Sequence, residues 1–138
     1  MRLVQVAQRA TDLDRAAAFY SLLLGAAPTG RFDPPGLLFF DLDGTRLLLD
    51  VNAPSALLYL RVDDVAATLR RLSDAGVEVV SEPHLIFTHA DDSLGPSDAQ
   101  EWQAFVRDSE DNLVGLVEWR RPDPPVDPAS NRSRGPGH

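Results

Sequence analysis

The chain has 138 residues, 43% apolar and 25% charged, ordinary values for one soluble globular domain with its own core. A net charge of −8 and a pI near 4.7 argue against a nucleic-acid-binding surface. Cysteine is absent and every one of the 13 basic residues is arginine, which excludes disulfides, thiolate metal sites, cysteine nucleophiles and Schiff-base lysines.

Residues 3–9 alternate as a half-buried strand, with Val4 and Val6 on one face and Gln5, Ala7 and Arg9 on the other. Thr11, with Asp14 three residues on, is a capping signal for a helix whose stripe is Leu13, Ala16, Ala17, Tyr20, Leu23 and Leu24. Gly25 stands where a left-handed residue ends such a helix. PTGRFDPPG reads as a poor edge strand or a loop, and LLFFDLDG with TRLLLDVN as a hairpin through Asp43-Gly44. The plan then restarts. At an offset of 52 residues Arg9 falls on Arg61, Asp12 on Asp64 and Leu13 on Val65, and Val65, Leu69, Leu72 and Ala75 form a second helical stripe. VEVVSEPHLIF is a strand interrupted at Pro83, THADDSLGPSDAQ a polar loop, and EWQAFVRD and NLVGLVEW two more strands. Both halves thus read strand, helix, strand, strand, strand. Residues 1–120 form the domain, and 121–138, with five prolines and almost no large apolar side chain, read as a disordered tail. No run approaches the roughly 18 apolar residues of a membrane span, and the N-terminus has no signal-peptide core. These features point to a cytoplasmic protein, and the lysine-free, arginine-rich composition to a GC-rich bacterial genome.

A paired βαβββ repeat carrying LVQVAQRATDLDRAAAFYSLLLG, LYLRVDDVAATLRRLSDAGVEVVSEP and AFVRDSEDNLVGLVE resembles the vicinal-oxygen-chelate superfamily. That group includes glyoxalase I, methylmalonyl-CoA epimerase, extradiol dioxygenases and the bleomycin-resistance proteins. The stretch from Phe105 to Asn112 is similar to its recurring FxxDPxGN turn. The resemblance implies an α+β fold of two modules, each curled into a half-barrel, around a cavity. It also implies a homodimer, since relatives commonly complete their cavities across a subunit interface. Metal-dependent relatives place ligands on the first and fourth strands of each module, which carry over to Gln5, Leu48, Leu57 and Gly115. Of these only Gln5 has a donor, and a neutral amide is a weak ligand. A register slip to Asp50 or recruitment of Glu118 rebuilds no set of four, while an atypical site drawing on Gln5, Asp50, His84 or His89 stays open. The resemblance with this departure leaves two readings: a small-molecule-binding protein of the bleomycin-resistance type with no metal or cofactor, or a lyase, isomerase, epimerase or dioxygenase with atypical metal ligands.

Alternation puts Leu58, Leu60 and Val62 on the helix-packed face, and Leu57, Tyr59, Arg61, Leu113, Gly115 and Val117 toward the cavity. We expect Gln5, Arg9, Tyr59, Arg61, His84 and Trp102 to line it, a mixture suited to a small organic ligand with an anionic or hydrogen-bonding group. Each also has a plainer role. Arg9 and Arg61 have Asp12, Asp63 and Asp64 as ion-pair partners in reach of sequence, Tyr59 reads equally as a core aromatic, Gln5 as a partner for a facing strand, and Trp102 as a plug for the polar loop. No GxGxxG, P-loop or GxSxG motif is present.

Overall fold

The computed structural model describes residues 3–122. The proline-rich stretch read as a tail lies, from residue 123 on, outside the described residues. The elements run β1 (Gln5–Arg9), α1 (Leu13–Leu24), β2 (Gly30–Phe32), β3 (Leu37–Leu42), β4 (Thr45–Asp50), β5 (Leu58–Arg61), α2 (Val65–Asp74), β6 (Val79–Thr88), β7 (Gln100–Arg107) and β8 (Leu113–Arg120). They build two four-stranded sheets, ordered β1-β4-β3-β2 and β5-β8-β7-β6. In each module the first strand pairs parallel with the last, and the remaining pairings are antiparallel. This is the expected pair of βαβββ modules. Among the described residues no helix is long and apolar enough to cross a membrane.

The repeat is visible in the caps. Asp12 and Asp64, 52 positions apart, each hold an extended backbone and accept from the amide three residues on, Arg15 and Ala67, at 3.0 Å. Asp12 thus takes the capping position expected of Thr11, whose hydroxyl is drawn to a carboxylate of the other module instead. Gly25, at φ 66°, ends α1 in the left-handed conformation. The Asp43-Gly44 hairpin has positive φ at both residues, as a two-residue turn requires. Pro83 lies inside β6 within the shift of pairing register between Ser81 and His84, tolerated because β6 is an edge strand.

One core joins the modules. Leu13, Ala16, Phe19, Tyr20 and Leu23 of α1 and Val65, Leu69 and Leu72 of α2 are buried with Leu38, Phe40, Leu47, Leu49, Val114 and Leu116 from the sheets. The turn after β7 fastens the halves together. Asp108 is buried and accepts from Tyr20 Oη (2.8 Å), from the Glu110 and Asn112 amides and from Asn112 Nδ2. Burial beside that carboxylate pushes the Tyr20 hydroxyl far above its ordinary pKa, so it serves as a permanent donor. Glu110 reaches the start of α1, accepting from the Thr11 and Asp12 amides and binding Arg15 through both oxygens at 2.6 and 3.0 Å. These donors outweigh desolvation and lower its pKa to about 2. Asn112 completes the join, donating to the Arg9 carbonyl and accepting from Ser55.

Candidate functional site

Pairing register decides what meets on the free face of the second sheet. Tyr59 stands opposite Gly115 and Arg61 opposite Val117, while Phe105, Gln103 and Glu101 of β7 face Gly115, Val117 and Trp119. Tyr59, Arg61, Glu101, Gln103, Val117 and Trp119 line a solvent-open cleft of about 370 Å³. Its floor is aromatic. Tyr59 and Phe105 pack edge to face at 5.8 Å, and Arg61 lies over the Trp119 ring at 5.1 Å. Arg61, exposed, makes no ion pair with Asp63 or Asp64, nor with any other described carboxylate. Glu101, by contrast, is occupied. Its Oε1 accepts from Trp119 Nε1 (3.1 Å) and lies 2.9 Å from His89 Nε2, and its Oε2 accepts from Gln103 Nε2 (2.8 Å). Burial works to raise its pKa, but these bonds prevail and lower it.

The first sheet offers a smaller counterpart of about 280 Å³, lined by Thr29, Gly30, Phe32, Phe39 and Arg46. Gln5 is exposed there, and its Oε1 accepts from Arg46 Nε on the neighbouring strand at 3.0 Å. Another hollow, of about 470 Å³, lies on neither sheet face but between α1, the end of α2 and the turn after β7. Its arginines have carboxylate neighbours, Arg15 bound to Glu110 at 2.6 Å and Arg107 within 4.0 Å of Glu78 and Asp111.

The expected site residues separate. Tyr59 and Arg61 meet in the cleft. Arg9 stands across from Asp50 at the module junction, where its backbone bonds Ser55 and Asn112. His84 is one strand further out, in register with Gln103 but exposed, with Nδ1 3.1 Å from the Glu82 carbonyl. Trp102 does not join the cleft. It alternates to the opposite face of β7, pairs with Glu118 and stacks under Arg120 at 4.0 Å. The neighbours Glu101 and Gln103 take the cleft side, as does Trp119. Carrying the alternation of Gly115 and Val117 two residues on would have found Trp119; placing β7 required its register against β8.

The four positions of the superfamily's metal ligands do not gather donors. Leu48 is buried, Leu57 exposed, and a Cβ on Gly115 would meet Tyr59 Cδ1 at 2.7 Å and Phe105 Cε1 at 3.1 Å. The space into which a side chain at residue 115 would grow is filled by the aromatic pair. Among the described residues no three His, Cys, Asp or Glu side chains converge as a metal-binding group.

Residues 2–114 match the sequence profile of the Glyoxalase/Bleomycin resistance protein/Dioxygenase superfamily, and the chain belongs to that superfamily. Among solved structures it is similar to TnmS3, an antibiotic binding protein from Streptomyces sp. CB03234 (25% identity, TM-score 0.67, covering 86% of this chain and 96% of that one). It also resembles a lactoylglutathione lyase from Agrobacterium tumefaciens (23% identity, TM-score 0.60, 85% and 92% covered). A glyoxalase/bleomycin resistance protein/dioxygenase from Alicyclobacillus acidocaldarius is a third (19% identity, TM-score 0.61, 86% and 91% covered). A search of curated protein sequences returned no match.

Proposed function

We propose that this chain binds a small organic molecule without the superfamily's metal-dependent chemistry, holding it in the cleft of Tyr59, Arg61, Gln103, Val117 and Trp119. The observation that carries this reading is the Tyr59–Phe105 pair over Gly115, with leucine at two more of the four ligand positions. A divalent ion left with one amide, itself engaged by Arg46, would gain too little to be retained. The aromatic floor favours a flat apolar body, and Arg61, with no ion pair among the described residues, an anionic or hydrogen-bond-accepting group on it. Similarity to an antibiotic binding protein supports binding over turnover.

We further propose that it acts as a cytoplasmic homodimer. Phe32, Leu57, Tyr59, Leu85, Ile86 and Phe87 are large apolar side chains each 36% or more exposed, surface that a second subunit would cover. Sedimentation at micromolar concentration should give twice the 15.1 kDa chain mass; a monomer alone would refute the dimer.

Elemental analysis of untagged protein, paired with native mass spectrometry, tests the main reading. We expect less than stoichiometric metal and a co-purifying or added small organic ligand released intact. One equivalent of a transition metal, lost on Gln5→Ala, would overturn it in favour of a metal-dependent enzyme.

A further inference from the structure

The long loop 89–99 returns from β6 to β7 beside the cleft, and one histidine fastens it. The His89 amide donates to the Ala99 carbonyl and the Asp98 amide to the His89 carbonyl, so the loop is pinched at its base. The His89 side chain is turned inward, only 2% of the residue being exposed. Its Nδ1 is 2.9 Å from the Pro96 carbonyl at the far side of the loop, and its Nε2 is 2.9 Å from Glu101 Oε1 on the cleft wall. Phe87 and Trp119 flank the ring, and a Cβ on Gly95 would collide with it, so the loop closes over it only with glycine there.

A carbonyl oxygen only accepts, and so does an ionised carboxylate. A neutral imidazole carries a single N–H and can satisfy one of them; the imidazolium satisfies both. The charged surroundings agree. Glu101 faces the ring from β7, and Arg61 stands beyond Trp119 with its guanidinium over that indole. The loop's own carboxylates, Asp91, Asp92 and Asp98, are exposed, and none is hydrogen-bonded to the ring. The bond to Glu101, helped by the Pro96 carbonyl, outweighs the desolvation of the ring, and its pKa is raised.

We infer that His89 is a proton-dependent latch, which as the imidazolium ties loop 89–99 to Glu101 on the cleft wall and on losing its proton releases one of its two ends. Protonation also adds a positive charge behind Glu101, so the cleft holds an anion more tightly with the latch closed. This second consequence rests on the cleft reading above; the latch itself does not.

The test is a ring ¹H–¹⁵N NMR titration of the full chain from acid to mildly alkaline pH, with amide hydrogen exchange of residues 90–98 followed over the same range. Both ring nitrogens of His89 should carry protons on the acid side of a midpoint that lies above the ordinary 6.5. Above that midpoint the loop amides should exchange about five-fold faster than intrinsic chemistry accounts for. Glu101→Gln, which keeps size but removes the charge, should lower the midpoint. A ring that is neutral at pH 6.5, or loop protection unchanged through the titration, would overturn the latch, and the wild-type protein alone suffices to show either. The anilinonaphthalene sulfonate dye, whose charge is constant over this range, reports on the cleft separately. Weaker binding above the His89 midpoint supports the coupling. Absence of binding counts against the cleft reading, while the ring and loop data still decide the latch.

Discussion

Replacing Glu110 by alanine should unfasten the two modules, and its cost can be worked from the geometry. The side chain is 2% exposed and serves the Thr11 amide and hydroxyl, the Asp12 amide and, through both oxygens, Arg15. A carboxyl pKa lowered from 4.5 to about 2 corresponds to roughly 3 kcal/mol of linked stability at neutral pH. Arg15 is 52% exposed, so solvent screens part of that, and about 2 kcal/mol is the better expectation. For a domain of this size the loss lowers the melting temperature by about 8 °C. The sign with pH follows from the depressed value. The stabilisation is complete above the unfolded pKa of 4.5 and is lost as pH falls toward 2. Urea midpoints of wild type and variant should therefore differ most at pH 6–7 and converge in acid. A melting temperature within about 2 °C of wild type at pH 7, or a gap that stays constant down to pH 3, would refute the reasoning.

Tyr20→Phe should cost about 1–3 kcal/mol, because it leaves buried Asp108 Oδ2 without its hydroxyl donor while keeping the ring packed on Phe19 and Phe40; a change under about 0.5 kcal/mol in urea unfolding would contradict that. Arg61→Ala should weaken an anionic aromatic ligand by about 1–3 kcal/mol, read by titration calorimetry, with little effect on stability because Arg61 is exposed and forms no ion pair with a described residue; unchanged affinity would reduce Arg61 to a cover for Trp119.

Much of this molecule is legible in local pattern. A period of two in LLYLRV places Leu58 and Leu60 inward and Tyr59 and Arg61 on the cleft side, because successive strand side chains must point to opposite faces. The 52-residue repeat likewise announces two modules, and both capping aspartates obey it. Gly115 betrays the departure from the superfamily's metal ligands by composition alone. Tertiary structure decided which distant residues meet. The parallel pairing of β5 with β8 and the antiparallel register of β7 on β8 bring Glu101, Gln103 and Trp119 to Arg61 and send Trp102 to the other face. Nor does spacing reveal that Glu110 of one module crosses to the helix of the other, or that His89 folds back between Pro96 and Glu101. Periodicity is a property of each segment's own backbone geometry. Register, strand order and crossing contacts are set by the energy of packing all segments at once, and no single segment carries that information.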